Sequence, residues 1–293
     1  MARTLILGSG GRLGAALQRA WGAGGLTRAQ LDIADADAVR RTLEPLDFDV
    51  LVNCAALTNV DRCETHPDEA FAINRDAVRT IAQVCSAKNA RCIHISTDYV
   101  FAGDQRVAYI EEDRAVPISH YGQSKLEGEK ALHEIDRDHL AVRVSWVFGP
   151  DRPSFVDQIV QRAVTEEKVE AIGDKWAVPS YTLDIAELLA PFLRDRREGG
   201  VLHLCNSGEC TWQEYGQYAL DCAREAGLKL KATTVGALKM ADLKAFIAKR
   251  PPYTVLSTSR IAGLTGHTPR SWQEAVRAYV RDHLAPRLAG TAK

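Results

Sequence analysis

The chain reads as an α/β protein built on a doubly wound parallel sheet, with a smaller C-terminal lobe. Three observations carry that reading. Short, continuously apolar runs alternate with helical patterns through the first half. A glycine-rich loop joins the first run to the first helix, and the rhythm changes after about Gly149. Strands covered on both faces read as unbroken apolar runs, and parallel neighbours need a crossover, so the alternation implies βαβ units.

Thr4–Gly8 is the first expected strand, and Gly8-Ser9-Gly10-Gly11-Arg12-Leu13-Gly14 the loop that opens helix Leu13–Ala20. The second strand is poorly marked, around Gly25-Leu26-Thr27-Arg28. Helix Ala36–Leu43, strand Val50–Cys54, helix Pro67–Ala87, strand Arg91–Ser96, helix Ser119–Glu134 and strand Leu140–Val147 follow. Beyond Gly149, Val169–Ile172 and Val201–Cys205 read as strands, and Leu183–Leu193, Trp212–Ala226 and Ser271–Leu284 as helices. Residues 1–148 are expected to form a dinucleotide-binding part to which 181–204 return. Residues 149–180 and 205–293 make most of the lobe, so a cleft should lie between the two. Pro286 to Lys293 are expected to fray.

At 293 residues the chain can bury a real core, and a net charge of −1 gives no reason to expect nucleic acid or an anionic membrane as partner. No apolar run approaches a bilayer span, and Met1–Leu7 reads as a strand rather than a signal peptide. The seven cysteines are odd in number, lack any C-x-x-C and mostly sit in apolar segments. They read as buried reduced thiols in a cytoplasmic, reducing compartment.

Gly8, Gly11 and Gly14 supply positions without a Cβ where the backbone must turn, approach a pyrophosphate and let helix pack on strand. Helix N-terminal amides then face the phosphates. Arg28 stands where a 2′-phosphate would be met, favouring NADPH with NADH possible; read blandly, it is a solvated loop charge. Asp32, about twenty residues past the loop, could touch the adenosine instead. Tyr121 and Lys125, four apart on an expected helix, share a face. An ammonium there would favour the phenolate, bring its pKa toward the working range and suit proton transfer to or from an oxygen.

Together with Val52–Asp61, Asn74, Ser96-Thr97-Asp98-Tyr99-Val100-Phe101-Ala102-Gly103, Ser145-Trp146-Val147 and Arg250-Pro251, these segments resemble the extended short-chain dehydrogenase/reductases over essentially the whole chain. The resemblance implies a Rossmann-type sheet, a substrate-binding lobe and reduction of a dTDP-linked 4-keto-6-deoxy sugar by NADPH. It makes Tyr121 the proton donor, Lys125 the holder of the nicotinamide ribose that lowers the Tyr121 pKa, and Thr97 the hydroxyl on the same substrate oxygen. Cofactor contacts are implied for Gly8, Gly10, Gly11, Arg12, Leu13, Gly14, Arg28, Asp32, Ile33, Asn53, Ala55, Ala56, Thr58, Tyr121 and Lys125. Substrate contacts are implied for Asp98, Tyr99, Phe101, Trp146 and Arg250, the last on the diphosphate.

Read as residues alone, Thr97 could be a strand terminus, Asp98 a turn cap, Trp146 core and Arg250 an ion-pair partner. His94 and His203, inside apolar strands, read as core histidines. The sequence departs from the family pattern at Asp174-Lys175-Trp176-Ala177-Val178-Pro179-Ser180, where Gln is usual at the Lys175 position, and at Thr254, where Ser is usual. Both departures put the sugar in doubt more than the chemistry. Some relatives dimerise through a metal held just after the glycine loop; Gly14-Ala15-Ala16-Leu17 offers no carboxylate, so no metal is expected. The chain is expected to act as a monomer or homodimer. An epimerase or dehydratase relative, and a non-catalytic subunit resembling the regulatory partner of methionine adenosyltransferase, share the Tyr–Lys pair and stay open.

Overall fold

The computed structural model describes residues 2–196, 198–243 and 245–290. Its centre is a six-stranded sheet of β1 (Thr4–Leu7), β2 (Gly24–Leu26), β3 (Val50–Asn53), β4 (Arg91–Thr97), β5 (Leu140–Val144) and β6 (Gly200–His203). The strands lie in the order β6-β5-β4-β3-β1-β2, every pair parallel. Successive side chains leave opposite faces of a strand. Leu5 and Leu7 accordingly join Val39, Leu43, Ile81 and Cys85 on one face, while Ile6 joins Leu17, Ile185 and Leu189 on the other. Both faces are thus covered by helices, as continuous apolar strands require. The chain turns first to β2 and then back past β1 to β3, so a topological switch point opens at the carboxyl ends of β1 and β3, where such sheets bind ligands.

The apolar run read as one strand over Leu140–Val147 is two. β5 ends at Val144, and Val147–Phe148 pairs instead with Ser180–Tyr181. Trp146, between them, takes a left-handed φ of 38°, costly for a bulky residue, and stacks 4.0 Å from Trp212 at 28°. The stacking partner lies 66 residues away, so local pattern could not foresee the break.

The lobe has its own core. Val156, Ile159 and Val160 of helix Phe155–Thr165 pack with Tyr215, Ala219 and Leu220 of helix Trp212–Glu225 and with Trp272, Val276 and Tyr279 of helix Trp272–Tyr279. Val169–Ile172 pairs with Val235–Leu238, a strand the pattern did not reveal. Reciprocal Thr211/Glu214 and Ser271/Glu274 capping boxes start two of these helices. Ala285–Gly290 is helical rather than frayed, because Ala285 is buried and Arg287 reaches back to the buried Asp157; 291–293 lie outside the described residues. Among the described residues no helix is long and apolar enough to cross a membrane.

Candidate active site

Gly8 leaves β1 with φ +74°, and a Cβ there would sit 2.8 Å from the Ala55 nitrogen. A Cβ on Gly14 would come within 2.3 Å of the Gly8 carbonyl oxygen. The loop is therefore pressed onto β3 on one side and onto helix Arg12–Trp21 on the other. No side chain caps that helix at Gly11, so no side-chain oxygen takes up its first amide hydrogens. Beside the loop lies a cavity of about 570 Å³ whose lining includes Gly8, Gly10, Gly11, Arg28, Asp32 and Ile33, with Ala55 and Ala56 on the β3 side.

Arg152 also lines this cavity, its Nε donating to the Gly10 carbonyl at 2.5 Å. No sequence signal marked it, since it reaches the loop from 142 residues away. Arg12 follows the loop at the start of its helix. Its guanidinium donates to the carbonyls of Val147 (3.1 Å), Arg152 (3.1 Å) and Pro153, stapling the 147–153 segment over the loop. Asn53 is buried behind the cavity and accepts the Ala55 N–H at 3.1 Å.

A second cavity of about 410 Å³ adjoins the loop and brings together Thr58, Thr97, Asp98, Tyr99, Tyr121, Lys125 and Trp146 with Arg12 and Leu13. Helix His120–Ile135 carries the Tyr–Lys pair. Ser119 caps it by accepting the Gly122 N–H at 3.3 Å. The helix sits so close that a Cβ on Gly122 would meet the Tyr99 carbonyl at 2.2 Å, and one on Gly128 the Asn74 carbonyl at 2.1 Å. Thr97, the last residue of β4, hydrogen-bonds Tyr121, accepts the Tyr99 N–H at 3.2 Å and donates to Asp98 Oδ1 at 3.1 Å.

Burial pushes the Tyr121 phenol above its ordinary pKa; the Thr97 hydrogen bond only partly opposes this, and nearby Asp98 adds to the rise. Lys125, expected to draw that phenol downward, is not among the groups that act on it. The Lys125 Nζ is turned inward, donating to the Ile95 carbonyl at 2.6 Å and lying 3.0 Å from His94 Nε2. Burial lowers Lys125 itself to about 8, with Glu129 opposing. His94 is the satisfied core histidine that the sequence suggested: it is fully buried, and its other ring nitrogen meets Asn53 Nδ2 at 3.2 Å. A phenol held protonated is the form a proton donor needs.

On the substrate side Asp98 is 2% exposed and is the meeting point of three hydroxyls, Thr97, Ser145 (3.0 Å) and Thr254 (2.5 Å). Lys175, also buried, donates to the Pro251 carbonyl at 2.6 Å and stands 4.8 Å over the Tyr99 ring. Of the two departures from the family pattern, Thr254 therefore meets Asp98, and Lys175 holds the Pro251 carbonyl of the segment that carries Thr254. Tyr99 packs edge-on to Tyr121 at 5.5 Å. Phe101, expected at the substrate, is instead fully buried, stacked 4.1 Å from Tyr109 under the Arg143 guanidinium. Its neighbour Gly103 turns the chain inward at φ +79°.

Arg250 is paired with Asp61 at 2.7 and 3.0 Å, and Asp61 also accepts the Ile247 and Ala248 amides at 2.9 Å. The pair holds Asp61 down to about 2. Among the described residues no group of His, Cys, Asp or Glu is disposed to hold a metal, and all seven cysteines are free thiols.

A family model described as the RmlD substrate binding domain matches residues 2–285. The spore coat polysaccharide biosynthesis protein SpsK of Bacillus subtilis is 33% identical over 287 residues, 96% of this chain and 98% of that protein. The dTDP-4-dehydrorhamnose reductase of Escherichia coli is 31% identical, covering 95% of this chain and 97% of that one. Among solved structures, a dTDP-4-dehydrorhamnose reductase from Bacillus anthracis in complex with NADP aligns with a TM-score of 0.88 at 27% identity, over 95% of this chain and 98% of that one. A glycine loop at the switch point, a Thr–Tyr–Lys cavity beside it and full-length similarity to these proteins lead to one assignment: the chain belongs to the dTDP-4-dehydrorhamnose reductase family.

Proposed function

We propose that this chain is an NADPH-dependent reductase of the C4 ketone of dTDP-4-dehydro-6-deoxy-L-mannose, giving dTDP-L-rhamnose. The observation that carries the reading is the cavity that gathers Thr97, Tyr121 and Lys125 beside the glycine loop. The loop fits a dinucleotide because Gly8 and Gly14 leave no room for a Cβ where the backbone meets strand and helix. The backbone of Gly8, Gly10 and Gly11 would hold the pyrophosphate, Arg28 a 2′-phosphate, and Lys125 the nicotinamide ribose. NADPH, when bound, supplies the hydride.

Tyr121 then gives its proton to the ketone oxygen. Thr97, which lines the same cavity, places a second hydroxyl at that oxygen. Trp146 and Tyr99 border the space a hexose ring would fill. Residues 1–148, with 181–204 returning to them, form the dinucleotide-binding part, and 149–180 with 205–293 supply most of the substrate-binding lobe. The protein works in a reducing cytoplasm as a monomer or homodimer, a reading supported by six buried free thiols besides the half-buried Cys54. A different nucleotide-linked 4-keto sugar is the second reading, favoured by the Lys175 and Thr254 replacements around Asp98.

The test is NADPH oxidation with dTDP-4-dehydrorhamnose. Tyr121→Phe should lower turnover at least ~100-fold, the scale of acid/base contributions. Undiminished turnover in that variant would remove Tyr121 from the mechanism. NADPH binding without any turnover in the native protein would instead favour a non-catalytic subunit.

A further inference from the structure

Arg152 lines the cofactor cavity from a segment that is fastened over the glycine loop without help from its own side chain. Arg12 donates to the carbonyls of Val147, Arg152 and Pro153. Asp151 takes both ends of the Arg19 guanidinium, one of them at 3.0 Å. Asp157 accepts the Ser154 N–H and hydroxyl, each at 2.6 Å. These contacts fix the backbone of residues 147–154 and leave the Arg152 side chain free to serve the cavity.

The Arg152 Nε donates to the Gly10 carbonyl at 2.5 Å. A Cβ on Gly10 would lie 3.8 Å from Arg152 Nη2 and 3.4 Å from Thr27 Cγ2, so the guanidinium stands on the β2 side of the loop. Thr27 and Arg28 follow β2 directly and line the same cavity. In a doubly wound sheet this strand end meets the adenosine ribose of a dinucleotide, whereas the pyrophosphate faces the N-terminus of the first helix.

A guanidinium carries five N–H donors in one plane. The Arg152 Nε is spent on Gly10, which sets that plane and leaves the four Nη hydrogens for another acceptor. Among the described residues no carboxylate forms an ion pair with Arg152 or with Arg28, whereas the neighbouring Arg19 has Asp151. Unpaired cations on one concave wall attract anions, and a planar fork suits a phosphate.

We infer that Arg152 is a second phosphate-binding residue of this cavity: anchored through Nε on Gly10, it offers its Nη groups to the 2′-phosphate of NADPH together with Arg28. The inference rests on the NADPH reading of the cavity and deepens it. It makes the choice between NADPH and NADH depend on the 147–154 segment as well as on the strand end after the glycine loop.

The test is equilibrium binding to the full-length protein, with NADPH and NADH followed by fluorescence and 2′,5′-ADP by displacement of NADPH. Arg152→Ala should weaken NADPH and 2′,5′-ADP by ~10-fold or more while NADH changes little, the scale of a charge-assisted hydrogen bond. Arg152→Gln keeps an N–H and loses the charge, so it should follow Arg152→Ala; Arg152→Lys should recover part of the loss. Added salt should narrow the gap between NADPH and NADH more in native protein than in Arg152→Ala. Arg152 is exposed, so each variant should melt close to native. Equal losses for NADPH and NADH would assign Arg152 to the pyrophosphate or to loop shape and overturn the inference. An unchanged NADPH Kd in Arg152→Ala, or native protein without preference for NADPH, would overturn it as well. Native protein that binds neither dinucleotide would bring down the cofactor reading itself, and this inference with it. NADPH binding without turnover would count against the reductase reading alone, and the affinities would still decide the role of Arg152.

Discussion

Replacing Gly14 with alanine tests the cofactor site at its tightest point. The new Cβ would lie 2.3 Å from the Gly8 carbonyl oxygen, 2.9 Å from its carbon and 3.1 Å from Ser9 Cα. Reaching ordinary contact requires a retreat of about 1 Å. Gly8 has nowhere to go. Its N–H is bonded to Leu26 at 2.9 Å, its carbonyl receives the Gly11 N–H at 2.9 Å, and the Ala55 backbone stands behind it. The strain must therefore displace the loop that would cradle the phosphates, or tilt helix Arg12–Trp21. Overpacking of this kind costs ~1–3 kcal/mol, which corresponds to roughly 5- to 150-fold in affinity. Alanine also gains about 1 kcal/mol of helix propensity over glycine, so the melting temperature should fall less than the affinity does. NADPH fluorescence titration gives the Kd and a thermal melt gives the stability. Gly263→Ala, at a helical position with nothing within 4 Å, is the control and should leave the Kd unchanged. Native-like NADPH binding by Gly14→Ala would refute the view that this loop is the dinucleotide cradle.

Arg28→Ala should weaken NADPH by ~10-fold or more while NADH changes little, because a charge-assisted contact is worth roughly 1.5–3 kcal/mol; equal losses for the two cofactors would move Arg28 out of the site. Glu129→Gln leaves Arg143 buried without its carboxylate, now bonded at 2.7 and 3.0 Å, and should cost ~3–5 kcal/mol in denaturant unfolding. A loss under about 1 kcal/mol would show that pair to be dispensable. For Lys125, lowered to about 8, the folded state holds fewer protons than the unfolded chain between there and the ordinary lysine pKa. Its burial penalty is therefore fully present below pH ~8 and fades as the pH rises toward ~10.4. The stability of Lys125→Met relative to native, from melts across that window, should be greatest near neutrality and decline above pH ~8; a difference independent of pH would mean that folding does not lower the Lys125 pKa.

The elements that were legible in the sequence are those whose cause is local. An unbroken apolar run, a glycine where no Cβ fits and a Tyr–Lys pair one helical turn apart all act over a few residues, so β1, β3 and β4, the glycine loop and the helix at His120 could be read directly. Residues whose role depends on a distant partner could not. Arg250 meets Asp61 across 189 residues, Thr254 meets Asp98 across 156 and Lys175 meets Pro251 across 76. Trp146 breaks its strand for an indole in the lobe, and Phe101 sits inside a string that reads as substrate wall while its ring is core.

The sequence by itself therefore determined the parallel sheet, the glycine loop after its first strand and the Tyr–Lys pair on one helix face, because backbone sterics and helical period confine these to short segments. Only the tertiary structure decided what surrounds that pair. Burial holds Tyr121 protonated and turns Lys125 inward. It also gathers three hydroxyls, from Thr97, Ser145 and Thr254, onto Asp98. A side chain's solvation and charge depend on everything packed against it, and that is written across the whole chain rather than in any motif.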